Sequence, residues 1–196
     1  MEKLAIVHAH SGLPTGIALT RKEALTKREW CMCTNIFVLN SKGEVLCHQR
    51  SIEKERFPGM WYTHLGGHVG YDETYHSNAV KEVEEEIGLK INHSKIIPWR
   101  TTRKNDSRIW IREFVTISDV AIEELTPQPG EVEQFAWKTL EEIEIALIQE
   151  PNKWIAGTHN FRTEYYCMRA VLTAMDHKGI FEVSRDQQIW GHHHEE

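Results

Sequence analysis

The segment from Gly67 to Leu89, GHVGYDETYHSNAVKEVEEEIGL, constrains this chain more than any other. Ala79, Val83 and Ile87 recur at i, i+4 and i+8. At about 3.6 residues per turn they fall on one line of a helix, while Glu82, Glu85 and Glu86 cluster on another. The spacing predicts a helix whose first line enters a core and whose second projects acid into a cleft. Asp72 is placed to cap the N-terminus, and Glu73 falls in the first turn, where the helix dipole favours negative charge. Gly88 is placed to end the helix in a left-handed turn.

Three carboxylates on one helical face repel each other, so keeping them ionised calls for a compensating cation. A hard divalent ion, Mg²⁺ or Mn²⁺, suits oxygen ligands, accepts a few carboxylates and leaves positions for water and phosphate oxygens. Just upstream, Gly66 and Gly67 let the backbone approach such an ion closely. The alternative for such a charge run is an amphipathic surface helix whose glutamates face solvent.

Gly67, then Glu73 after five residues, then Lys81-Glu82-Val83-Glu84-Glu85-Glu86-Ile87-Gly88-Leu89 after seven more, resembles the Nudix box, G-x5-E-x7-R-E-U-x-E-E-x-G-U with U aliphatic. One specified position departs, because Lys81 stands where the family has arginine. There the arginine helps to hold a neighbouring carboxylate. Lysine keeps the charge and loses the planar two-pronged fork.

A chain of 196 residues suits one domain with a substantial core. We read residues 1–183 as that domain and 184–196, ending Trp190-Gly191-His192-His193-His194-Glu195-Glu196, as an aperiodic mobile tail. Charged residues at 27% and hydrophobic ones at 40% are those of a soluble globular protein. A net charge of −6 with no long Lys/Arg run argues against binding a nucleic-acid polymer. The first residues, MEKLAIVHAH, lack an apolar run long enough for a signal or a span, so no membrane association and a cytoplasmic location are expected. Cys31, Cys33, Cys47 and Cys167 have no zinc-site spacing and read as reduced and mostly buried.

In chain order we expect a hairpin from Lys3 to Leu19 around Gly12 and Pro14, then a helix ending near Trp30 that opens on the capping box Thr20-Arg21-Lys22-Glu23. Strands follow at Cys31 to Leu39 and Glu44 to Arg50. Trp61 to Leu65 should be a further strand, leading into the glycine pair. Ile96 to Arg103 and Arg108 to Ile117 should form a second hairpin, with Glu131 to Lys138 one more strand. Thr139 to Glu142 caps a helix that Pro151 stops. A last helix from about Thr163 to His177, closed by Gly179, should bury Cys167, Ala170, Val171 and Ala174 on one face.

The resemblance implies an α+β Nudix fold, a mixed β-sheet sandwiched between α-helices. It also implies metal bound by Glu82, Glu85, Glu86 and the carbonyl of Gly66, and cleavage of a nucleoside diphosphate linked to another group. Catalysis then rests on Glu82, Glu85, Glu86 and Lys81, with Glu85 the choice for the proton acceptor and Glu113 and Glu133 as downstream candidates. Arg50 through Trp61, RSIEKERFPGMW, is similar to a stretch of the isopentenyl-diphosphate isomerases and the Nudix hydrolases like them, where the arginine and lysine bind diphosphate. That role carries over to Arg50 and Lys54. Arg56, Arg100, Arg103, Arg108 and Arg112 are lesser candidates, and Trp61, Trp99 or Trp110 could stack on a base. The isomerases place a catalytic cysteine just before a histidine-containing turn, in register with Leu65 to Val69 here. Gly66 cannot protonate an alkene, which disfavours isomerisation although His68 lines up with the isomerase metal histidine. The expected partner is a small-molecule diphosphate, a homodimer is a possible assembly, and a non-catalytic binding module is the remaining alternative.

Overall fold

The computed structural model describes residues 2–155 and 161–176. Gly179 and the tail 184–196 lie outside the described residues.

The hairpin β1 (Lys3–Val7) and β2 (Pro14–Thr20) leads into α1 (Arg21–Lys27). The Thr20–Glu23 capping box forms as expected. The helix stops earlier than Trp30, because Arg28 turns left-handed at φ 55° and Trp30 already opens β3 (Trp30–Leu39). After β4 (Val45–Arg50) comes a strand shorter than expected: β5 is Trp61–Tyr62, and Leu65 makes only an isolated bridge to Ile36. Then follow α2 (Tyr75–Ile87), β6 (Ile97–Lys104), β7 (Ile109–Ile117), β8 (Val132–Lys138), α3 (Leu140–Gln149) and α4 (Phe161–Asp176).

The eight strands form one mixed sheet in which β3 pairs in parallel with β7 over its length and antiparallel with β1 at one end. β4 meets β3 at Leu39–Val45 and then turns to β8 and β5. The two strands therefore splay apart. The chain from Leu65 to Gly70 lies in the opening and bonds along β3, with Leu65 on Ile36, Gly67 on Thr34 and Val69 on Met32. This seam carries the glycine pair into the middle of the sheet.

Alternation along β3 divides the core. Ile36 and Val38 face α2, where they meet Ala79, Val83 and Ile87. Phe37 and Leu39 face Ile143 of α3 and Phe161, Met168 and Leu172 of α4. Cys31 meets Ala24 of α1 on that second side. Val83 and Ile87 are fully buried, a contribution of about 1.5–3 kcal/mol each. Helices on both faces of a mixed sheet are the expected architecture.

Two local expectations are corrected. The cap of α2 is Thr74, in a reciprocal box with Ser77, so Asp72 is exposed upstream and Glu73 precedes the first turn. In α4 the core face carries the larger Phe161, Met168 and Leu172, while Cys167, Ala170 and Ala174 are exposed. The small residues bury too little apolar area to compete for that face.

Candidate active site

Gly66 and Gly67 sit against β3 on one side and over α2 on the other. A carbon on Gly67 would stand 2.4 Å from Oε1 of Glu82. The Gly66 backbone lies close enough to the carboxylate of Glu86, one turn further along α2, to favour its ionised form. Successive loop residues thus rest on successive turns of the helix, and the absence of side chains permits the approach. Gly88 takes φ 72° and closes α2 as expected.

Burial, then the charge of Glu85, pushes Glu82 up to about 7. Burial, then Glu82, pushes Glu86 up to about 8, against the pull of the Gly66 backbone and Arg50. Oε2 of Glu86 is buried with no hydrogen-bond partner. Glu85 is exposed, so the acidic face resolves into two half-buried glutamates and one at the rim. Among the described residues no three His, Cys, Asp or Glu side chains are gathered to enclose an ion by themselves.

Glu73 folds back over the loop. It accepts from the Gly70 amide at 2.8 Å, from Asn78 at 2.9 Å and from Lys81 at 3.0 Å. Burial opposes ionisation of Glu73, but these three donors together hold it below the usual carboxylate range. Lys81 reaches outward to Glu2 as well, at 3.7 Å.

The family model described as NUDIX domain matches residues 31–157, well over half of the chain. The chain belongs to the Nudix family. Its class of chemistry is that of the Nudix pyrophosphohydrolases. It is similar to an isopentenyl-diphosphate Delta-isomerase of Kocuria rhizophila, 29% identical over 142 residues that span 70% of this chain and 78% of the relative. It is 31% identical over 134 residues to a Nudix hydrolase of Listeria monocytogenes, spanning 66% and 76% of the two chains. Among solved structures, DR0079 from Deinococcus radiodurans superposes with a TM-score of 0.65 at 20% identity, covering 80% of this chain and 94% of that one, a likeness of fold.

Around the Nudix carboxylates the basic residues divide. Arg50 is an electrostatic neighbour of Glu86, and its Nε donates to the Arg56 carbonyl at 3.2 Å. Arg56 and Arg21 both act on His68, which burial foremost holds down to about 4. Lys54 is ion-paired with Glu131, a residue that itself acts on Glu86. Nothing local in the sequence marks Arg21, Asn78 or Glu131 as site residues, since each reaches the site only through the fold.

Other candidates are committed elsewhere. Trp61 stacks on Trp154 at 6.0 Å with Lys138 over its ring, so packing takes up the face that would have met a base. Trp110 donates from Nε1 to the Ala9 carbonyl at 3.2 Å, and Trp99 carries Arg100 over its ring at 4.4 Å. Glu113 is buried and paired with Arg100, which also holds Glu164 at 2.7 Å. It lies on the same strand parity as Val115, the sheet face away from α2. Glu133 is exposed on β8.

Proposed function

We propose that this chain hydrolyses a diphosphate bond in a nucleoside diphosphate-linked or related small molecule, with Mg²⁺ or Mn²⁺ held by Glu82, Glu86 and the Gly66 carbonyl and with Glu85 at the rim. The supporting observation is Glu86: a carboxylate with one oxygen buried and unpartnered, beside the half-buried Glu82. Two desolvated like charges are costly unless a cation joins them. Two carboxylates and backbone oxygen suit an ion that keeps several waters.

When bound, the metal would neutralise phosphoryl oxygens and lower the pKa of a water. The chain's own residues do the rest. Arg50 and Arg56 offer positive charge to the diphosphate, whereas Lys54, spent on Glu131, supports the loop that follows Arg50 and bears Arg56. Glu85 accepts the proton as the water oxygen bonds to phosphorus. The bridging P–O bond breaks and its electron pair leaves with the second phosphate.

The isomerase reading is favoured by the name of a relative. It is opposed by Gly66, where φ is 139° and an added carbon would meet the Thr34 carbonyl oxygen at 2.0 Å. No acid side chain can stand there on this backbone. Incubating a panel of diphosphates with the protein and Mg²⁺ in ¹⁸O-water, with products read by ³¹P NMR and mass, tests the proposal. Cleavage with one labelled phosphate supports it. A product that keeps both phosphates and carries no label overturns it.

A further inference from the structure

Asn78 is fully buried in the second turn of α2. Its Oδ1 accepts from the Thr34 hydroxyl at 2.5 Å. Its Nδ2 faces three acceptors: Oε2 of Glu73 at 2.9 Å, the His68 carbonyl at 3.2 Å and Oε1 of Glu82 at 3.4 Å. Three acceptors on one side and a hydroxyl on the other fix which end of the amide is nitrogen. One side chain thus ties the strand beneath the site, the glycine loop above it, the folded-back Glu73 and the metal-facing Glu82.

This position is unspecified in the Nudix pattern, and here it stands three residues before the one specified position that departs. An arginine at 81 would present a planar fork of several donors. Lys81 has one nitrogen, directed to Glu73 at 3.0 Å and toward Glu2 at 3.7 Å. Glu82 takes its side-chain donor from Asn78 instead.

We propose that Asn78 is a positioning residue that replaces the missing arm of the arginine: its amide bridges Glu73 and Glu82 and holds the Glu82 carboxylate in place for the divalent cation. The inference rests on the metal site proposed above. It makes residues 78 and 81 a coupled pair, in which either an amide at 78 or a fork at 81 suffices to orient Glu82.

Calorimetric titration of Mn²⁺ into the purified full chain without substrate tests this. Asn78→Ala should weaken Mn²⁺ binding about tenfold, the scale of losing a group that orients a ligand. Asn78→Ala with Lys81→Arg should return to within about threefold of the parent. Thr34→Val, which cuts the same side chain's other bond, should lower thermal stability and leave Mn²⁺ affinity within about twofold. Lys81→Arg alone, which does not depend on an Asn78 variant folding, should change affinity less than about twofold, because the donor is already supplied. The inference is overturned if folded Asn78→Ala binds Mn²⁺ as tightly as the parent. It is also overturned if Lys81→Arg fails to rescue it, or if Lys81→Arg alone tightens binding about tenfold. Glu86→Gln serves as the reference: if it too leaves Mn²⁺ affinity unchanged, the metal site itself is misplaced, and if it abolishes binding while Asn78→Ala does not, only the role of Asn78 falls.

Discussion

A carbon attached to Gly66 would stand 2.0 Å from the carbonyl oxygen of Thr34, on a backbone whose φ of 139° disfavours any side chain. The glycine is therefore required by the close packing of the loop against β3. Gly66→Cys should lose on the order of 3 kcal/mol in urea denaturation, the combined result of overlap and a strained dihedral. It should gain no isomerase activity. A Gly66→Cys protein as stable as the parent would show that the loop can rise from the strand.

Glu85 lies outside the half-buried pair and is exposed, so its removal should spare the fold. Glu85→Gln should lower kcat for phosphate release by about 100-fold or more, as expected for loss of a general base, with an unchanged melting temperature. Unchanged turnover would remove Glu85 from the mechanism.

The acidic helix was legible because its signals are local. Ala79, Val83 and Ile87 lie one turn apart, and Gly88 ends the run. Its start is less legible, since Asp72 and Thr74 are both good caps and only the Thr74–Ser77 reciprocal bonds decide for the one two residues later. The core face of α4 is not legible from the sequence because a period of 3.6 does not say which of two stripes wins, and the bulk of Phe161, Met168 and Leu172 decides it. Asn78 was illegible for another reason: its partner Thr34 is 44 residues away, and only the sheet brings them together. The diphosphate-binding role for Lys54 comes from the resemblance alone, and its pairing with Glu131, 77 residues away, has no local signal because only the fold brings the two together.

His48 is buried against Tyr62, with its Nδ1 unpartnered. Burial, and secondarily the charge of Arg50, holds it from 6.5 down to about 3. Below its ordinary value the unfolded chain takes up a proton that the native imidazole refuses. Stability from this site is therefore intact above pH 6.5 and falls as the pH drops toward 3, at up to about 1.4 kcal/mol per pH unit. His48→Gln should show a slope shallower by about that amount between roughly pH 6 and pH 4, measured by urea denaturation. The raised carboxylates Glu82 and Glu86 tilt the curve the other way, equally in both proteins. Equal slopes would show that His48 is protonated in the native state.

Arg100 lies between Glu113 and Glu164, with Glu113 only 5% exposed through its side chain. Arg100→Met leaves Glu113 buried without its cation and should cost about 2 kcal/mol, tempered by the partial exposure of the arginine. Combining it with Glu113→Gln should recover about half of that loss, because the stranded charge is gone. A double variant less stable than Arg100→Met by the full cost of the single glutamine change would show that the two residues do not interact.

The central claim is that Glu82 and Glu86, pressed under two glycines, form the seat of a divalent cation. Titrating Mn²⁺ into the parent and into Glu86→Gln, with melting temperature followed in the same samples, tests it most directly. Saturable binding and a rising melting temperature are expected for the parent. For Glu86→Gln neither is expected, although that protein should be no less stable than the parent without metal. Equal Mn²⁺ binding and equal metal-induced stabilisation in the two proteins would contradict it.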